Sequence, residues 1–365
     1  MSLEIFQLTK DVIDEWNDFC LKSNSAWFRH TTFFLEYILH CRFDRLSRNL
    51  SFGIKQNNKI VAVAPLILQT NYEDKDIFEF GLGDTPIPFP AFDNSLFPEN
   101  KKEITKVIFE KIDELAKQNN ISYAKFFVDP LTDDILLGTH ITNPLPKFGY
   151  HETSISTNII VLNKPIEEIF KDIRKGHKAD IKNAIKNKFV VDFFSKENIK
   201  KEIFNIYKEL HYLASGRKTR PDESWEDMFG FIKNGYSILA LERKQDKQEY
   251  FAGVLVITYK GKAYYGSGAT HPKYEGVRGI GHLLHWQIIT YLKDNGYNYY
   301  ETGWNYYPII SQEVATDKEL NISRFKSGFG GELYPLFRGE KFYNKEYLKN
   351  KKLTLIDSFI NLYLK

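Results

Sequence analysis

The sequence predicts an α/β (α+β) chain of two domains, each a mixed, mostly antiparallel sheet flanked by helices. Three observations predict it. Apolar residues switch between strand spacing and helical spacing along the chain. An order of helix, hairpin, strand, helix, strand fills residues 1–150 and then recurs over 151–365. The stretch from Ala263 to Trp304 reads as strand, glycine loop, helix and strand, one complete α/β unit.

Taken in order, Asp11–Leu21 and Phe33–Leu39 each carry apolar residues on one helical face, so residues 1–50 are expected to be mainly helical. SFGIKQNNKIVAVAPLIL forms a hairpin about Asn57-Asn58, and Pro65 places a bulge or an edge in its second arm. Phe78–Gly81 is a short strand. GLGDTPIPFPAF is too rich in Gly and Pro for regular structure. Glu103–Lys117 sets Ile104, Val107, Ile108, Ile112 and Leu115 on one stripe, and SYAKFFVDP follows as a strand. The polar connector 131–153 marks a domain boundary near 150. Beyond it come the strand Ile155–Leu162, helices over Ile166–Lys188 and Ile199–Ala214, and a hairpin of Tyr236–Glu242 with Tyr250–Thr258.

Composition bounds the function. With 42% hydrophobic and 15% aromatic residues, 365 residues suffice for sizeable cores. A net charge of +3, from 50 basic and 47 acidic residues, argues against a dedicated nucleic-acid binder. No apolar run nears the length of a bilayer span and no basic-then-apolar leader opens the chain, so a cytoplasmic protein without membrane insertion is expected. Cys20 and Cys41 make neither a disulfide framework nor a zinc site, and no metal is expected.

The chemistry gathers in the second half. The loop before the helix that opens at Gly281 offers unpaired N–H groups along the helix axis, and Arg278 adds a cation. Gly279 and Gly281 allow close approach of a phosphate. Lys171–Lys188 is strongly basic: a wet face, or a patch for a polyanion. Arg217, Lys218 and Arg220 crowd one Gly/Pro-bounded loop, suited to clamp a diphosphate unless Asp222, Glu223 and Glu226 pair with them. Lys326 sits between Phe325 and Phe329, where desolvation lowers its pKa. His271 and Glu301 are candidate bases, and Tyr306 or Tyr307 a candidate proton donor to a leaving group. No Ser–His–Asp or Cys–His order stands out, so a covalent intermediate on the chain is not expected.

HPKYEGVRGIGHLL resembles the acyl-CoA loop of the GNAT acyltransferases, Arg/Gln-x-x-Gly-x-Gly/Ala between strand and helix. Gly279 and Gly281 fall on its small positions, while Gly276 stands where the family has Arg or Gln. The resemblance implies an acyl-CoA donor held at Arg278, Gly279, Ile280 and Gly281, with a strand amide near Ser267–Ala269 polarising its carbonyl. LLHWQIITYLKDNGYNYYETGW, Lys178-x-x-Ile181-x-x-Ala184 and RFKSGFGG resemble the FemXAB branch. Those enzymes have two GNAT-like domains and transfer aminoacyl groups from tRNA to peptidoglycan precursors. That likeness implies Lys326 beside the acyl group, with Phe325 and Trp304 lining the substrate.

The leading expectation is an acyl-CoA-dependent N-acyltransferase. It would acylate the amino group of a nucleotide-linked (dTDP- or UDP-) amino sugar for surface polysaccharide, by direct transfer in a ternary complex. The alternatives are an aminoacyl-tRNA-dependent transferase of the FemXAB type and a non-catalytic nucleotide- or carbohydrate-binding protein.

Overall fold

The computed structural model describes residues 3–71, 74–83, 85–139, 141–310 and 313–364. The chain forms two compact units: 1–156 with 306–320 and 335–365, and 157–305 with 321–334.

The first unit begins with β1 (Leu3–Gln7), α1 (Ile13–Lys22), α2 (Thr32–His40) and β2 (Ser47–Asn49). Both strands fall in the stretch the sequence suggested to be mainly helical. The expected hairpin is β3 (Phe52–Gln56) and β4 (Lys59–Ala64), turning through Asn57 and Asn58 at positive φ. Pro65 does not bulge a continuous strand. It separates β4 from β5 (Ile67–Thr70), which lie in different sheets, because proline supplies no N–H for a ladder. Next come β6 (Phe78–Phe80), β7 (Ile87–Pro88), β8 (Ala91–Phe92), α3 (Pro98–Gln118), β9 (Ile121–Phe127), α4 (Asp133–Leu136) and β10 (His151–Glu152). The Gly/Pro segment thus carries two short strands, while its Asp84 lies outside the described residues.

The second unit holds β11 (Ile155–Val161), α5 (Ile166–Asp172), α6 (Lys175–Lys186), β12 (Phe189–Phe194), α7 (Lys201–Ser215) and α8 (Asp222–Lys233). The helix expected over Ile166–Lys188 breaks at Ile173 and Arg174, whose backbones are extended. Then follow β13 (Ser237–Lys244), β14 (Tyr250–Tyr259), β15 (Lys262–Thr270), α9 (His282–Asp294) and β16 (Tyr299–Asn305). The chain ends with β17 (Ile309–Ile310), β18 (Glu313–Val314), α10 (Asp317–Ser327), β19 (Glu332–Leu336), β20 (Arg338–Phe342) and α11 (Lys345–Tyr363).

A single cut at 150 therefore misses a return. β20 pairs antiparallel with β9, with Arg338 opposite Phe127 and Phe342 opposite Tyr123. Unit 1 thus has an antiparallel sheet, β1-β3-β4-β8, and a mixed sheet, β10-β20-β9-β6-β5-β2, whose path has one parallel pair, β6 and β9, joined by α3. Unit 2 has one sheet, β12-β13-β14-β15-β16-β11-β19, in which β15 and β16 are parallel and joined by α9.

In unit 2 the pleat sends alternate residues to opposite faces. Ile238, Ala240, Val254 and Val256 pack with Ile181 and Ala184 of α6 and with Leu283, Leu284, Ile288, Ile289 and Leu292 of α9. Each fully buried aliphatic side chain contributes roughly 2 kcal/mol. Leu241 faces the other way, toward Tyr207 of α7. Cys20 and Cys41 are buried thiols whose Sγ atoms donate to the His30 and Ile38 carbonyls. No helix among the described residues is long and apolar enough to cross a membrane.

Candidate active site

Parallel strands joined through a helix normally share a long ladder. Here β15 and β16 pair only at Lys262–Tyr299, Ala263–Tyr300 and Tyr264–Glu301. Beyond those residues the strands continue to Thr270 and Asn305 without pairing to each other. β15 is also bulged: Tyr265 stands opposite Val256 and Ser267 opposite Leu255, so Gly266 is the extra residue. The bulge thus lies one residue before Ser267–Ala269, where a carbonyl-polarising strand amide is expected. The parting leaves strand amides able to meet a carbonyl oxygen.

Lys326, in the last turn of α10, lies at this parting. Its Nζ is 4.0 Å from the centroid of the Tyr265 ring and fills the space a side chain at Gly303 would take. Burial pushes the ammonium down to about 8, while the Glu301 carboxylate pulls it back up. Glu301 itself is 0% exposed, and its Oε1 accepts a hydrogen bond from Thr157 Oγ1 at 2.8 Å. A carboxylate so enclosed does not meet a substrate amine directly; it acts on Lys326. Glu301→Gln is accordingly expected to lower the midpoint at which Lys326 loses its proton, since the charge favouring the ammonium is gone. NMR titration of the labelled lysine reads this, and an unmoved midpoint would remove Glu301 from the site.

Below Lys326 lies an aromatic wall. Phe325 and Phe329 pack with His177, His282 and His285. His285 stacks on Tyr265, with ring centres 5.2 Å apart and 14° between planes, and on Phe329 at 4.8 Å. Burial, with Lys326 second, pushes His285 down to about 3, and burial lowers His177 and His282 as well. The wall is therefore uncharged at neutral pH.

The mouth of α9 is already engaged. The Gly281 N–H donates to Glu242 Oε2 at 2.9 Å, and Glu242 is 0% exposed. The amides of Ile280, His282 and Leu283 bond to Val277 and Gly279 carbonyls. Arg278 Nε sits 2.5 Å from Asp180 Oδ1. Gly279, at φ +98°, is where the loop meets α6: a Cβ would lie 2.9 Å from Ala184 Cβ and from the Asp180 carbonyl. Arg278 and the Ile280 and Gly281 amides, expected to hold phosphates, thus have partners within the chain, and Gly279 serves loop–helix packing.

Residues 189–309 match the family model described as an acetyltransferase (GNAT) domain. Similar solved structures agree over nearly the whole chain. FemX is 14% identical with a TM-score of 0.62, over 95% of this chain and 99% of that one. L-PGS from Bacillus licheniformis is 12% identical with a TM-score of 0.55, over 96% and 97%. A tandem GNAT protein from the clavulanic acid biosynthesis pathway is 10% identical with a TM-score of 0.53, over 94% and 99%. At these identities the likeness is one of fold. No curated protein matched the sequence.

In the GNAT-like unit, then, the structure unites Lys326, Phe325 and Glu301 and leaves other expected residues elsewhere. His271 caps the turn after β15: its Nδ1 accepts from the Lys273 N–H at 3.1 Å and its ring meets Tyr274. That ring nitrogen is occupied as a turn residue's would be. Trp304 is half-buried on β16. Tyr306 and Tyr307 cluster with the other unit, and Tyr307 is 49% exposed. Arg217 and Lys218 are exposed, and Arg220 stacks over Trp225 at 5.1 Å. Lys208 and Lys201 of α7 pair with Asp222 and Glu226. Sequence reasoning missed Tyr265, His285 and Glu242. The run AYYGSG marked Tyr265 only as a strand aromatic, and a lone acid in ILALE signals nothing without the loop above it.

Proposed function

We propose that this chain is an N-acyltransferase that moves an acyl group from a thioester or ester directly to an amine at the parting of β15 and β16. The observation that carries this reading is Lys326, held at about 8 over Tyr265 at the place where the strands separate. A group with that value exchanges a proton readily near neutral pH. The amine nitrogen attacks the acyl carbon and forms the C–N bond. Neutral Lys326 takes the proton from that nitrogen and passes it to the departing sulfur or oxygen as the carbon–donor bond breaks. The donor in this reading is acyl-CoA and the acceptor a nucleotide-linked (dTDP- or UDP-) amino sugar for surface polysaccharide, its diphosphate met by the exposed Arg217 and Lys218. A cytoplasmic site of action belongs to the same proposal.

A second reading has one observation in its favour, the engaged mouth of α9. If Glu242 keeps the Gly281 N–H, the donor is not gripped there by a diphosphate, and an aminoacyl-tRNA donor with a peptidoglycan-precursor acceptor fits better. Titration with CoA and with alanyl-tRNA, following the Gly281 amide by NMR, separates the two. A shift of that amide with CoA and heat of binding support the first. Binding of alanyl-tRNA alone, with the amide unmoved, supports the second. Binding of neither argues against transfer altogether.

A further inference from the structure

The Tyr265 ring is held by two neighbours. His285 stacks on it and the Lys326 ammonium sits over it at 4.0 Å. Its direction along the strand is fixed as well. The bulge at Gly266 puts Tyr265 and Gly268 on the same face, opposite Val256 and Val254 respectively. A Cβ at Gly268 would overlap the Tyr265 hydroxyl, so the hydroxyl lies along β15 past the last residue paired with β16. Among the described residues no group hydrogen-bonds to that hydroxyl, and it is not among the sealed polar atoms. By contrast, the neighbouring Tyr207 hydroxyl is bonded to Ser267, at 3.0 Å to its carbonyl and 2.6 Å to its Oγ. A phenol packed by His285 and Lys326, with its O–H not fully enclosed where the strands part, is a fixed dipole aimed at the reacting centre.

We propose that Tyr265 is a catalytic residue whose hydroxyl donates a hydrogen bond to the carbonyl oxygen of the acyl donor as negative charge develops there. This rests on the acyl-transfer reading above. When the amine attacks, the carbonyl π electrons move onto oxygen, and the Tyr265 O–H meets that charge without giving up its proton. Collapse re-forms the C=O bond and expels the thiolate or alkoxide, which receives the proton carried by Lys326. Burial raises the Tyr265 phenol well above its ordinary range, which keeps the donor proton in place.

Tyr265→Phe tests this, because it keeps the ring, the His285 stack and the Lys326 contact while removing only the hydroxyl. Transfer is measured from acetyl-CoA and from alanyl-tRNA to UDP-glucosamine. The expected result is a kcat lower by about 10²–10³-fold with KM within a few-fold and an unchanged melting temperature. The carbonyl stretch of bound donor should also lie at lower frequency in the wild type than in the Phe variant. Wild-type kcat in the Phe variant would leave the transferase reading standing and overturn the role of Tyr265. No transfer by the wild type from either donor would overturn the functional reading, and this inference with it.

Discussion

Replacing Lys326 with alanine is expected to lower kcat for acyl transfer by about 10²–10⁴-fold, the range for loss of a positioned acid–base group. Lys326→Arg is expected to fall as far, since a guanidinium stays charged and takes no proton from the attacking nitrogen. The wild-type pH profile follows from the same value. The neutral amine is the working form, so kcat/KM should rise with pH and level off above about 8. Both variants should lose that limb. The alanine variant is not expected to lower the melting temperature much, because burial already disfavours the ammonium, whereas the always-charged guanidinium is expected to lower it. A rate in the alanine variant equal to the wild type, or a profile flat between pH 6 and 8, would take Lys326 out of the chemistry.

How much of this was legible depended on the range of the interactions. Periodicity exposed α9, α3, β9 and the β13–β14 hairpin, because each buries one face whose spacing is written locally. Lys326 was legible because Phe325 and Phe329 flank it in sequence, but Tyr265, the ring it sits over, lies about 60 positions earlier and was not. β1 was not: five residues, LEIFQ, become a strand only because β3 lies alongside, with Ile5 opposite Ile54. Nor was the return of β20 to β9, more than 200 positions away in sequence, which no local pattern encodes. The helix mouth shows the limit most sharply. A glycine-rich turn advertises free amides, yet whether they are free is decided by Glu242, about 40 positions earlier on a strand two places across the sheet.

That carboxyl gives the second large effect. Burial pushes Glu242 up to about 8, against a bond from the Gly281 N–H that pulls it down. Its value in the unfolded chain is the ordinary one, near 4.5. Between these limits the folded state holds a proton that the unfolded state has released, so stability falls as pH rises, by about 1.4 kcal/mol per pH unit at most. His285 acts in the opposite sense. Its folded value is about 3 against 6.5 unfolded, so the unfolded state binds the extra proton and stability falls as pH drops through that interval. From 4.5 to 6.5 the two slopes offset each other; from 6.5 to 8 Glu242 dominates. Urea unfolding of the wild type is therefore expected to show a loss of about 1–1.5 kcal/mol between pH 6.5 and 8, since the slope halves as the pH reaches the carboxyl's folded value and Lys326 offsets a little of it. Glu242→Gln, which keeps an oxygen for the Gly281 N–H and removes the charge, should show none of it. Parallel pH slopes for the two proteins would mean that the carboxyl is not enclosed beneath the loop, and the amide it occupies would again be open to a donor phosphate.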